Sequence, residues 1–194
     1  MSRDAATPWV VVGLGNPGPK YAATPHNLGW LVIDELVRRA GTQLGAARRA
    51  KAELAQVRID GAPVVLVKPL DYMNNSGGPT KSLLAYYTTT VERLVVVHDE
   101  IDLPTHVLRL KFGGGDNGHN GLRSLRSSLG TGDYYRVRVG VGRPPGRQDP
   151  ADFLLRPMPS ALRADLTTTV DRAADAVEAL IGKGLADAQN AFNG

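Results

Sequence analysis

WVVVGLGNPGPKYAATPHN, residues 9–27, opens on an apolar run whose Val10, Val11 and Val12 are β-branched, the pattern of a buried strand. The run breaks into Gly13, Gly15 and Gly18, where glycine admits positive φ or the close approach of a ligand. Eight residues after Gly18 come His26 and Asn27, and from 27 to 40 Trp30, Leu31, Ile33, Leu36, Val37 and Ala40 recur at helical spacing until Gly41. A strand, a Gly/Asn/Pro turn and a histidine ahead of a helix is how an α/β protein places a site at a strand end.

GLGNPG (13–18) matches the G-x-G-x-x-G spacing of a dinucleotide turn, but its surroundings do not. Pro17 and Pro19 bracket Gly18, and proline disfavours helical backbone in the residue before it. Asp34 and Glu35, at the distance where a ribose-binding acid is required, fall inside the amphipathic helix. No Lys-Ser/Thr follows, so the turn is not a P-loop either. A turn that merely needed glycine would leave Asn16 unexplained.

Outward from this stretch, 52–59 and 63–68 flank Asp60-Gly61 as a hairpin. Ser76 is placed to cap a helix running to about Tyr87. LVVVH (94–98), HVLRLKF (106–112) and YYRVRVGVG (134–142) read as strands, and 118–129 as a helix. The apolar stripe from Leu162 to Ile181 predicts a long C-terminal helix. The order β-α-ββ-α-ββ-α-β-α-α predicts a single three-layer α/β/α domain around a twisted mixed sheet. That domain is expected over 9–194, after a disordered N-terminal extension at 1–8, with a mobile loop at 143–150.

With 194 residues, 42% of them hydrophobic, the chain can build a full core. The absence of cysteine rules out disulfides, a thiol nucleophile and thiolate-bound zinc, and suits a reducing, cytoplasmic setting. Neither a signal-peptide pattern nor an apolar run of membrane-spanning length is visible. The net charge of +4 leans toward polyanions.

The chemistry-bearing residues gather at strand ends. Tyr72-Met73-Asn74-Asn75-Ser76 follows one strand; His98-Asp99-Glu100 and Asp102 follow another. GGGDNGHNG (113–121) carries Asp116, Asn117, His119 and Asn120, with Arg109 and Lys111 before it and Arg123 and Arg126 after it. A glycine-dense loop beside cations suits phosphate. The histidines are scattered without metal-ligand spacing, so no metal is expected, and no G-x-S-x-G elbow supplies a serine nucleophile. What remains is a histidine that activates water, an aspartate that orients it, and Asn amides that bind a carbonyl or its oxyanion.

Together, GLGNPG, the following Tyr and HN, YMN-x-SG, HDE-x-DLP, GGG…GHNGL and R-x-R-x-G-x-GRPPGR resemble bacterial peptidyl-tRNA hydrolases from Val10 to about Asn190. The resemblance implies a phosphorylase/hydrolase-like α/β fold and hydrolysis of the ester joining a peptide to tRNA, by a cytoplasmic monomer that needs no cofactor. It implies His26 as the base, Asp99 as its partner and Asn16 as the discriminator of peptidyl from free aminoacyl esters. Tyr21, Tyr72, Asn74 and Asn120 match positions that contact the tRNA 3′ end and the peptide, with Asn74 or Asn120 orienting substrate or stabilising the oxyanion. Arg109, Lys111 and Arg138 match positions that grip acceptor-stem phosphate. The chain departs from the family's T-R-H-N in one place, Thr24-Pro25-His26-Asn27, where proline removes both a cation and a backbone N–H. A non-catalytic RNA-binding relative of the same fold is the alternative.

Overall fold

The computed structural model describes residues 7–194. Most of the extension expected at 1–8 lies outside the described residues; of the two within them, Thr7 offers its carbonyl to Arg93 at 3.2 Å. Seven strands form one mixed sheet in the order β2-β3-β4-β1-β5-β7-β6. They are β1 (Trp9–Gly13), β2 (Gly45–Ala46), β3 (Ala52–Ile59), β4 (Ala62–Pro69), β5 (Leu94–Glu100), β6 (Leu108–Phe112) and β7 (Tyr135–Gly140). β4, β1, β5 and β7 run parallel, and the antiparallel pairs are β2·β3, β3·β4 and β6·β7.

Both faces of β1 are buried, which is why its sequence is a continuous apolar run rather than an alternating one. Val11 faces α1 (Leu28–Arg39), α6 (Leu166–Lys183) and α7 (Leu185–Phe192); Val10 and Val12 face α2 (Gly77–Tyr86) and α3 (Asn120–Leu129). Helices on both sides of a mixed sheet make the expected three layers. Asp60 and Gly61 take φ of 50° and 79°, the left-handed pair a two-residue hairpin between twisted strands demands.

Several boundaries differ from expectation. Ser76 occupies the cap position of α2 but with helical φ/ψ, and its hydroxyl donates back to the Met73 carbonyl at 2.8 Å instead of capping. The strand expected from His106 begins at Leu108, because His106 has φ 71° and cannot continue a pleat. The C-terminal stripe is broken: Leu162 belongs to a short α5 (Ser160–Ala164) that ends before α6 starts. Two short elements escaped the sequence reading, β2 and α4 (Pro150–Leu154); the Asp149 carboxylate accepts from the Ala151 N–H at 3.0 Å to start α4.

Candidate active site

The carboxyl ends of the parallel strands β4, β1 and β5 share one sheet edge, and the segments leaving them wall a cleft of about 1050 Å³. Asn16, Tyr21, His26, Tyr72, Asn74, Asp99 and Asn120 all line it. Open sheets bind ligands at such an edge because chain reversals on either side of a central strand leave a crevice.

Glycine brings these segments close for a reason the sequence alone does not reveal. Only Gly18 of the three in GLGNPG has positive φ, 103°. A Cβ on Gly13 would stand 2.2 Å from the Gly29 carbonyl oxygen, and one on Gly29 would stand 2.4 Å from that of Val97. The end of β1, the start of α1 and β5 therefore touch backbone to backbone. This contact carries the turn ahead of α1 up to β5.

That turn is a single 3-10 turn, Pro25–Asn27, and all three of its residues are buried. Pro25 sits in its first position, where a backbone N–H has no helical acceptor, so the missing donor costs no hydrogen bond. His26 Nδ1 lies 2.8 Å from Asp99 Oδ2. Asp99, 1% exposed, accepts only, so Nδ1 carries the proton and Nε2, without a partner among the described residues, is the free lone pair in the cleft. Burial alone would lower the His26 pKa; the Asp99 charge and hydrogen bond outweigh it and hold the value above 6.5. Burial would raise the Asp99 carboxyl, but the two imidazoles facing it hold it well below the usual carboxylate range.

The second imidazole is His119, which the sequence placed in a phosphate-type loop. Its Nε2 lies 2.9 Å from Asp99 Oδ1, so Asp99 bridges two histidines through separate oxygens. Its Nδ1 accepts from the Gly121 and Leu122 N–H groups at 3.1 and 3.4 Å, making His119 the cap of α3. Those donors leave Nδ1 bare and oblige Nε2 to hold the proton it gives Asp99. His26, Asp99 and His119 have ligand-type atoms within 4.8 Å of one another. Yet His119 Nε2 has no lone pair to offer while Nδ1 caps the helix, so the trio lacks a third metal ligand. The helix expected from 118 begins at Asn120, so His119, which the sequence reading put inside it, is its cap.

His98 is fully buried behind this group, its Nδ1 donating to the Asp99 carbonyl at 2.8 Å. Burial drives its pKa down to about 3, so it stays neutral. The loop bearing His119 is held from below by the buried Arg136 guanidinium, which donates to the Gly114 and Gly132 carbonyls at 2.7 and 3.0 Å and to that of Gly115.

Asn16 is held in the cleft through both its backbone and its side chain. Its backbone N–H donates to Asn27 Oδ1 at 2.9 Å, and its carbonyl accepts from Asn27 Nδ2 at 3.0 Å. Its side-chain Oδ1 accepts from the Met73 N–H at 2.6 Å. The remaining group, the Nδ2 amide, is a donor with no partner among the described residues, on a residue that lines the cleft. Asn74 and Asn120 are exposed; Asn120 Oδ1 receives only a 3.5 Å contact from Arg123. Tyr72, 57% exposed, stands on the rim.

Arg109, Lys111 and Arg138 do not line the cleft. They lie beside it on β6 and β7, where Arg109 faces Arg138 and Lys111 faces Arg136 across the ladder. Like charges directly opposite repel. Burial and neighbouring cations lower the pKa of Lys111, and burial lowers that of Arg138, which Glu100 at the cleft wall partly offsets.

Residues 10–194 match the peptidyl-tRNA hydrolase family. A peptidyl-tRNA hydrolase from Frankia casuarinae is 55% identical over 96% of this chain and 94% of its own length. One from Streptomyces coelicolor is 52% identical over 100% and 98%. The crystal structure of a peptidyl-tRNA hydrolase from Acinetobacter baumannii, 32% identical, superposes with a TM-score of 0.90 over 100% of this chain and 97% of that one. These likenesses extend over nearly the whole chain, and the chain belongs to the peptidyl-tRNA hydrolase family.

Proposed function

We propose that this chain hydrolyses the ester between a peptide and the 3′ ribose of tRNA, freeing tRNA from peptidyl-tRNA that has left translation. The observation that carries the chemistry is the 2.8 Å Nδ1–Oδ2 bond from His26 to Asp99, which leaves Nε2 as a base open to the cleft. Water gives a proton to His26 Nε2 and attacks the ester carbonyl. Asp99 holds the tautomer and stabilises the imidazolium. The Asn16 Nδ2 amide, fixed in advance by Met73, is the donor best placed for the oxyanion, with Asn74 and Asn120 orienting the acyl chain. His26 then returns the proton to the departing 3′ oxygen. The products are a free carboxylate and tRNA.

The rim ring of Tyr72, with Tyr21 deeper in, suits a stacked 3′-terminal base. The crowded cations Arg109, Lys111 and Arg138 suit a backbone phosphate, a contact indifferent to sequence that serves many tRNAs. No helix among the described residues is long and apolar enough to cross a membrane. Action as a cytoplasmic monomer completes the reading.

The test is hydrolysis of a labelled peptidyl-tRNA by the intact chain and by His26→Ala. Loss of about 10²–10⁴-fold in turnover by a folded variant is the expected outcome. Near-normal turnover would remove His26 from the mechanism.

A further inference from the structure

At the far end of α2 from the cleft, Tyr86 and Tyr87 form a T-shaped pair, with centroids 4.9 Å apart and planes at 84°. Tyr86 is 49% exposed, a large apolar face left in solvent with no role in the core. A recess of about 200 Å³ opens on one side of the pair, walled by Arg48 and Arg49; a shallower one of about 610 Å³ opens on the other, walled by Arg58. Neither wall contains a carboxylate. Arg48 and Arg49 are exposed and have no hydrogen bond or ion pair among the described residues. The contrast is the groove between β3 and α6, where Arg39 is paired with Asp175 at 2.8 Å and Glu178 at 3.2 Å.

The patch is continuous with the cleft by two routes. The basic segment 48–51 ends at Lys51, whose Nζ lies 3.8 Å from Asp71 on the cleft wall. α2 itself runs from Gly78 at the cleft to Tyr86, eight steps, or about 12 Å at the helical rise. A strand advancing about 3.4 Å per nucleotide covers that distance in three or four nucleotides.

We propose that Tyr86, Arg48 and Arg49 form a second RNA contact, in which a base stacks on the Tyr86 ring and a phosphate lies between the two guanidinium groups. This rests on the reading that the cleft takes the 3′ end of a tRNA. Aromatic faces accept any base, and arginine adds charge and cation–π attraction, so the contact selects RNA without selecting sequence. An exposed ring beside unpaired cations favours this occupant over an acidic protein surface, which would use the cations and leave the ring idle.

The test titrates a fluorescent acceptor-stem RNA hairpin ending in CCA against the full chain between about 50 and 200 mM salt. Arg48→Gln/Arg49→Gln should weaken binding and flatten the slope of log K against log[salt] by about 0.7–0.9, the share of one phosphate. Arg48→Lys/Arg49→Lys should restore the slope. Tyr86→Ala should weaken binding roughly ten-fold with the slope retained. Unchanged affinity and slope in the glutamine variant, or displacement of the hairpin by poly-glutamate as readily as by RNA, overturns the contact. Peptidyl-tRNA hydrolysis by the unaltered chain is measured alongside. Hydrolysis with unaffected variants removes only this surface, whereas absent hydrolysis removes the reading of the cleft.

Discussion

The side-chain oxygen of Asn16 accepts the Met73 backbone N–H at 2.6 Å, so the orientation of its amide is dictated by a donor that cannot flip. A loop that follows β1 thereby holds a loop that follows β4, and the Nδ2 donor is fixed before substrate arrives. Preorganised donors cost no reorganisation at the moment charge develops. Asn16→Asp keeps the Met73 bond but replaces the donor by a charge. It should fold normally and lose about 10²–10³-fold in kcat/KM. Asn16→Ala should also lose roughly 1–3 kcal/mol of stability, because it strands a buried N–H. Circular dichroism melts beside ester hydrolysis rates separate the two effects.

Asp99 raises the pKa of His26 above 6.5, and only neutral His26 is a base. The acid limb of kcat/KM should therefore lie above that value, with activity falling as pH drops through it. In Asp99→Asn the carboxylate charge is gone while burial remains, so the limb should move to lower pH, with kcat/KM down by on the order of 10²–10⁴. A limb that stays in place would show that another group titrates.

His119 shares Asp99 with His26, which yields an effect of opposite sign. Asn is a strong helix cap, so His119→Asn should still hold the start of α3 while giving up the Nε2–Oδ1 bond. Asp99 then loses a competing donor and favours the His26 imidazolium more. The acid limb should move up, and a pH–rate profile of the variant checks it.

The same pair bears on folding. A group whose folded pKa is raised stabilises most below its unfolded value, near 6.5, and this stabilisation is lost as pH rises through the folded value. His26→Gln should therefore cost more stability at about pH 6 than at about pH 9. Urea unfolding at the two pH values reads the difference.

Gly13→Ala places a Cβ 2.2 Å from the Gly29 oxygen, and both partners are backbone. Overpacking of this kind costs about 1–3 kcal/mol or more. The expected result is a lowered denaturation midpoint together with lost activity, because the displaced turn carries His26 away from Asp99.

Much of this protein is legible in the residues. The β-branched run at 10–12 and the stripe of α1 give local patterns whose periods force a strand and a helix. Asp60-Gly61 yields its hairpin because few residues tolerate left-handed backbone in sequence. His26, Asp99 and Asn16 lie at or beyond the carboxyl ends of strands, where polar residues gather, and the resemblance to the family singled them out from their neighbours. Two of the boundaries that differ, at Ser76 and His106, are those where a side-chain bond or one positive φ overrode propensity; the α5–α6 break falls at Asp165, whose φ of −118° is not helical.

What the order of residues determined by itself was the set of elements and the chemistry available at their ends. Only the tertiary structure decided how those groups share their hydrogen bonds. Asp99 and His119 are twenty residues apart, and nothing local says that one carboxylate serves two imidazoles, or that the cap of α3 fixes a tautomer. The glycines of the opening stretch likewise took their meaning from Gly29 and Val97, neighbours that exist only once strand and helix have packed. Periodicity is a property of one segment, whereas a shared carboxylate and a backbone contact are properties of several segments meeting. The fold was therefore readable residue by residue, and the wiring of the site was not.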